Sequence, residues 1–182
     1  MIVDMIRPGY IRTYTGIHFN PLDPDPELID PVDIAHSLSL VNRFTGHTNF
    51  PLSVAQHSCL VSDYVSVENK LWGLLHDASE AYLSDLARPV KIQDEMCFYR
   101  EAEDKLMEAI CERFNLDLPI PEEVKEADDI LLHTEIRDFF HISPNGHRVL
   151  KNVLESWGWR ESKLQFVKRC QELGIKIGTI LV

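Results

Sequence analysis

Four prolines within eleven residues, "PLDPDPELIDP" at 21–31, forbid a regular helix across that stretch and fix where the first long one can begin. Asp30 followed by Pro31 is a helix start: the aspartate caps, and the proline sits where its missing N–H is not needed. Upstream, "YIRTYTGIHF" is β-branched and aromatic around Thr15-Gly16, which predicts a small hairpin. The chain therefore divides into an N-terminal arm over 1–30, one helical domain over 31–173 and a short C-terminal tail over 174–182.

Beyond Asp30 the apolar spacing is helical. Helices are expected from Pro31 to about Phe44, from Asn49-Pro51 to about Val67, from Lys70 to Leu83, and from Asp94 to Phe114. The Asp94–Phe114 helix carries Phe98, Ala102, Leu106, Ala109 and Ile110 as its core stripe. Three more are expected over Pro121–Phe140, Asn145–Trp157 and Ser162–Leu173, with "GIKIGTILV" closing the chain as extended or irregular backbone. The expected fold class is all-α, a single-domain helical bundle with a small N-terminal hairpin.

A formal charge of −11 argues against general affinity for a nucleic-acid polymer, which needs a cationic surface. Four scattered cysteines without a C-x-x-C pair signal neither a zinc knuckle nor a disulfide framework. The start, "MIVDMIRPGY", makes a poor signal peptide, and no apolar run approaches a membrane span. A reduced, cytoplasmic protein with no membrane partner is the expectation.

The chemistry concentrates in "LLHDASEAYLSD", 74–85. At about 100° per residue, His76, Asp77 and Glu80 share one arc of a helix, and Asp85 can rejoin them only if the chain turns at Ser84. His57 falls in the apolar stripe Val54, His57, Val61, Val65, as an ordinary core histidine or as a partner of the later His-Asp pair. In "EADDILLHTEIRDFF", Asp128, Leu132 and Glu135 share a face, while Asp129 is turned away; these aspartates are either solvated or drawn into a site. Two histidines and two aspartates suit one divalent transition metal. His36, in "IAHSLS", reads as core or as an outer neighbour of the site; His47, close to Arg43, is a further candidate for phosphate contact.

The order His57, His76-Asp77, Asp128 resembles the HD-domain metal-dependent phosphohydrolases. The flanks "SVAQHS", "LLHDASEAYLSDLARPVK" and "ADDILLHTE" are similar to the branch that includes bacterial HD-domain 5′-nucleotidases and phage deoxynucleotide hydrolases, over about residues 30 to 140. The resemblance implies one divalent ion (Co, Mn, Zn, Fe, Ni or Mg) on His57, His76, Asp77 and Asp128, with Asp129 a rival for the last place. It makes Glu80 and Asp85 the catalytic acids and Arg43 a substrate contact. Arg88 and Lys91 are further phosphate candidates, and Phe44 is a candidate for packing on base or sugar. The implied activity is 5′-nucleotidase action on deoxynucleoside monophosphates, with triphosphohydrolysis that releases tripolyphosphate as the alternative. The monophosphate is preferred because the chain is acidic and few basic residues cluster near the motifs. A non-catalytic metal-binding interaction protein is a reading of another class. A homo-oligomer, dimer or larger, is implied by resemblance only.

Overall fold

The computed structural model describes residues 8–178. The N-terminal arm before Pro8 and the end of the tail after Gly178 lie outside the described residues. Strands β1 (Ile11–Arg12) and β2 (His18–Phe19) pair antiparallel, with Ile11 opposite Phe19. Their loop turns through Gly16 at φ 95°, where a residue without Cβ is at ease. Phe19 drops from the hairpin into the core with no exposure, and Asp33 accepts from the Thr15 amide and hydroxyl. The described part of the arm is thereby part of the packed body.

Among the described residues eight α-helices follow: α1 (Pro31–Leu40), α2 (Val54–Tyr64), α3 (Lys70–Leu75), α4 (Glu80–Leu83), α5 (Arg88–Lys91), α6 (Cys97–Phe114), α7 (Glu122–Phe140) and α8 (Trp159–Glu172). The fold is all-α with one two-stranded hairpin. Helix α2 packs against α1, α3, α7 and α8, so a residue on α2 sits where these elements meet. One apolar cluster joins Phe19, Leu38, Val54, Leu74, Leu106 and Phe166; a second joins Val61, Trp72, Val124 and Leu131. Among the described residues no helix is long and apolar enough to cross a membrane.

Several expected elements end differently. Helix α1 begins where expected, with Asp30 Oδ1 accepting from the Val32 amide at 2.7 Å, but stops at Leu40 instead of Phe44. Val41 goes extended because the chain must pair with the lead into α2: the Val54 amide donates to Val41 O, and the Arg43 amide to Leu52 O. Phe44 and Thr45 then take left-handed backbone, both at φ 55°. Helix α2 starts at Val54, later than Asn49-Pro51, because Ser53 Oγ caps the Gln56 amide; it ends at Tyr64.

The Lys70–Leu83 helix is broken into α3 and α4 by a turn at His76–Ser79. Arg88–Lys91, for which no helix was expected, forms a short one with Pro89 in its first turn. The helix expected over Asn145–Trp157 is absent; 141–158 is irregular. Its backbone groups are taken by side chains: Arg137 donates to Leu150 O and Asn152 O, Asp138 accepts from the Leu154 amide, and Gln56 bonds both Glu155 O and the Trp157 amide. Phe98, expected in the core stripe, is 63% exposed, while Ala102, Leu106, Ala109 and Ile110 are buried.

Candidate metal centre and its cavity

The turn that breaks the third helix is what shapes the site. From Leu75 the backbone tightens to i→i+3 bonds, with the Ala78 amide on Leu75 O and the Glu80 amide on Asp77 O. At about three residues per turn, positions i and i+3 eclipse, so Asp77 and Glu80 come onto one side. Leu74 and Leu75 are fully buried and anchor this corner. Ser84 then adopts φ 70°, a conformation that costs a side-chain-bearing residue energy, and turns Asp85 toward the cavity that Asp77 and Glu80 line.

His57 on α2, His76 at the end of α3 and Asp128 on α7 bring ligand atoms within 4.8 Å of one another. His57 Nε2 lies 3.2 Å from His76 Nε2 and 3.1 Å from Asp128 Oδ1. Asp77 Oδ2 adjoins them, 3.2 Å from His76 Nε2 and 3.7 Å from His57 Nε2. Asp129 is not part of the group; it faces His133 at 3.7 Å and lines a different surface cavity.

The donor chemistry of this cluster fits a metal ion. His76 Nδ1 stands 2.8 Å from Gly73 O, which can only accept, so Nδ1 carries a proton. His57 Nδ1 stands 2.7 Å from Glu135 Oε1. Both rings therefore aim the second nitrogen, Nε2, at the other, and in the neutral rings these are two lone pairs 3.2 Å apart beside two carboxylates. Such an arrangement needs a cation among the four groups. Without one, a proton takes its place: burial and Arg43 press His57 toward neutrality, but Glu135 and Asp128 overcome them and raise it to about 9. Asp77 is held well below the usual carboxylate range, burial being outweighed by His76, His57 and Arg43. Asp128 is likewise lowered against its burial, chiefly by the bond to His57.

Above the cluster opens a cavity of about 600 Å³ lined by Arg43, Phe44, Asp77, Glu80, Asp85 and Asp128, with Arg88, Lys91 and Arg100 along it. Burial and the neighbouring Asp77 and Asp85 charges push the Glu80 carboxyl up to about 9, and its buried Oε2 has no hydrogen-bond partner. Asp85 is raised as well, by burial and then Asp77 against the pull of Arg43. Arg43 is held charged in spite of burial by Glu135 and Asp77, with Nε 2.9 Å from Glu135 Oε2. The Phe44 ring meets Phe140 edge-on at 5.2 Å while lining the cavity wall. Lys91 is paired with Glu103 at 2.7 Å, and Arg100 donates to Lys91 O and Gln93 O, holding α5 in place.

His36 does not join the site. It stacks on Tyr14 at 3.8 Å beside the hairpin, lining another cavity. His47 caps the 43–46 turn and is not among the cavity's lining residues. Two residues at the site had not been singled out. Glu135, fully buried, bridges His57 and Arg43; its signal was present, one face with Asp128 at i+7. Arg100 carried no local signal, since α6 reaches the cavity only by tertiary packing.

The fold and site together define an all-α protein whose His57, His76 and Asp128 could hold a metal ion beneath an open cavity. No protein-family profile matches the chain. The uncharacterised protein YfdR of Escherichia coli K12 is 40% identical over 134 residues, 71% of this chain and 72% of that protein. The uncharacterised protein RCAP_rcc00048 of Rhodobacter capsulatus is 38% identical over 131 residues, 67% of this chain and 66% of its own length. The chain belongs to the family of YfdR.

Proposed function

We propose that the chain is a metal-dependent phosphohydrolase of the HD-domain type acting on nucleotides, with deoxynucleoside monophosphates as its substrates. One observation carries this reading: the metal-suited cluster floors a cavity that also holds two carboxyls of raised pKa and four cationic side chains. Carboxyls alone would repel a phosphate ester, and cations alone would bind it without reaction.

His57, His76, Asp77 and Asp128 are the residues that would hold one divalent ion, of the class Co, Mn, Zn, Fe, Ni or Mg. When bound, such an ion draws charge from phosphoryl oxygens and acidifies water. The chain supplies the rest. Arg43 commits Nε to Glu135 and sets Nη1 3.6 Å from Asp77 Oδ2, which leaves Nη2 for a non-bridging phosphoryl oxygen. Burial, then the Asp77 charge and Asp85, keep a proton on Glu80 in the metal-free protein, and burial and Asp77 raise Asp85 as well. With a cation offsetting the Asp77 charge, Glu80 would orient the attacking water or take its proton, and Asp85 would protonate or steer the leaving sugar oxygen. Phe44 offers an apolar surface to base or sugar.

A second reading, hydrolysis of a deoxynucleoside triphosphate to nucleoside and tripolyphosphate, is favoured by Arg88, Lys91 and Arg100. Arg88 and Lys91, the phosphate candidates of the sequence, lie along the cavity, and Arg100 joins them there. Lys91 and Arg100 are engaged within the protein, but Arg88 makes no ion pair among the described residues. The deciding experiment incubates Co²⁺- or Mn²⁺-loaded protein with nucleoside mono-, di- and triphosphates. Orthophosphate from monophosphates supports the first reading and tripolyphosphate the second. Silence across the panel with several divalent metals overturns both and leaves a non-catalytic metal-binding protein.

A further inference from the structure

We propose that Glu135 is a positioning residue that ties the metal-holding cluster to the anion-holding arginine. One carboxylate does both tasks: Oε1 lies 2.7 Å from His57 Nδ1 and Oε2 lies 2.9 Å from Arg43 Nε. The inference rests on the proposed function for its ligands, a divalent metal and a phosphate, but not for its geometry. Glu135 is fully buried and the Arg43 side chain is 13% exposed, so water is poorly placed to substitute for either bond. The two donors converge from separate elements, α2 and the 43–46 turn, onto one side chain of α7. Through it, the orientation of the His57 ring and the reach of the arginine are set by the same rigid helix.

The consequence is specific because the site needs two acceptors at one residue. Glutamine has the size of glutamate but only one acceptor oxygen. In Glu135→Gln the charged guanidinium makes the stronger bond and takes that oxygen. The amide N–H₂ is then left facing His57 Nδ1, which can receive it only by moving its own proton to Nε2. That proton points at His76 and Asp128 and removes the ligand lone pair. Arg43 thus decides how harmful Glu135→Gln is to metal binding, although it is not itself a ligand. With Arg43→Met in the same chain, the amide oxygen is free to face His57 and the correct tautomer returns.

The test is a double-mutant cycle on the full chain, stripped of metal and titrated with Co²⁺ or Mn²⁺, with orthophosphate binding measured on the loaded protein. Glu135→Gln is expected to lower metal affinity roughly 10- to 100-fold. Arg43→Met is expected to weaken orthophosphate binding and to keep or improve metal affinity. The further loss on adding Glu135→Gln to Arg43→Met is expected to be several-fold smaller than in the wild-type background. If Glu135→Gln costs the same factor in both backgrounds, to within about twofold, the coupling is overturned. An unchanged metal affinity in Glu135→Gln overturns it as well. Where Glu135→Gln does not fold, the Arg43→Met pair carries the test: a large loss of metal affinity between Arg43→Met and the double variant overturns the proposal, and a small one supports it. The cycle reads binding and not turnover. A wild-type chain that binds metal but hydrolyses no nucleotide sinks the enzymatic reading and leaves the coupling standing, whereas an active chain with additive losses sinks the coupling alone. A wild-type chain that binds no metal overturns both.

Discussion

Replacing Gly73 by alanine should loosen the junction of α2 and α3 and move His76. A Cβ at position 73 would lie 2.9 Å from Ser62 Cα, 3.0 Å from Ser62 N and 3.2 Å from Val61 C, all backbone atoms of α2 that cannot rotate aside. Carbon contacts of this kind relax at about 3.5–4.0 Å, so the two helices must separate by several tenths of an ångström. Overpacking of this sort costs about 1–3 kcal/mol, and the gain of alanine over glycine within a helix returns at most about 1 kcal/mol. The net expectation is a loss of up to about 2 kcal/mol, which lowers Tm by up to roughly 8 °C for a chain of this size. The same shift disturbs metal binding, because Gly73 O is the acceptor that orients His76 Nδ1. Thermal unfolding followed by circular dichroism, paired with a metal titration, reads both effects. Gly178→Ala, with nothing within 4 Å of the new Cβ, serves as the control and should change Tm little. A Gly73→Ala protein with unaltered Tm and unaltered metal affinity would refute the claim that close backbone approach sets the place of His76.

His76→Ala should keep the helical circular-dichroism spectrum and lose metal affinity by more than the roughly 10- to 100-fold that an outer partner is worth; retention of metal within that range would remove His76 from the ligand set. Saturating metal should raise the wild-type Tm and leave that of His76→Ala unmoved, because a ligand stabilises only the state that binds it. In metal-free protein, folded Glu80 keeps its proton up to about 9 whereas the unfolded chain releases it near 4.5. The folded state then binds the extra proton, so this residue makes stability fall as pH rises through that window. His57, raised from 6.5 to about 9, adds a slope of the same sign, and the difference between wild type and Glu80→Gln isolates Glu80. Glu80→Gln should flatten the Tm-against-pH curve, and parallel curves for the two proteins would contradict the buried, proton-holding carboxyl.

Local sequence signals reached far in this chain where the physics is local. Asp30-Pro31 begins α1 because a cap and a pre-set φ act within one turn, and the 122–140 periodicity yields α7 because its apolar face recurs along the helix itself. The pattern of His57 within Val54, Val61 and Val65 placed it in the core, where it is. The same locality explains the failures. Residues 145–157 have an acceptable helical composition, but Arg137, Asp138 and Gln56 from other elements claim their backbone groups. A regular helix through 70–83 would have set His76, Asp77 and Glu80 at 100° steps; the tightened turn exists because Gly73 must lie against α2 and His76 must bond Gly73 O.

By itself, then, the amino-acid sequence determined the all-α class, the small hairpin, the starts of α1, α3 and α7 and the residue types from which a metal cluster can be built. Only tertiary structure decided which acids meet. Asp128 enters the cluster and Asp129 turns to His133; Ser84 bends Asp85 into the cavity; Arg100 arrives from α6. Glu135 shows the difference most plainly. Its place on the face of Asp128 is a matter of helical pitch, but its two bonds depend on α2 and the 43–46 turn arriving from 78 and 92 residues away along the chain. Pitch and capping are encoded within a few neighbouring residues, whereas convergence is set by the packing of the whole core.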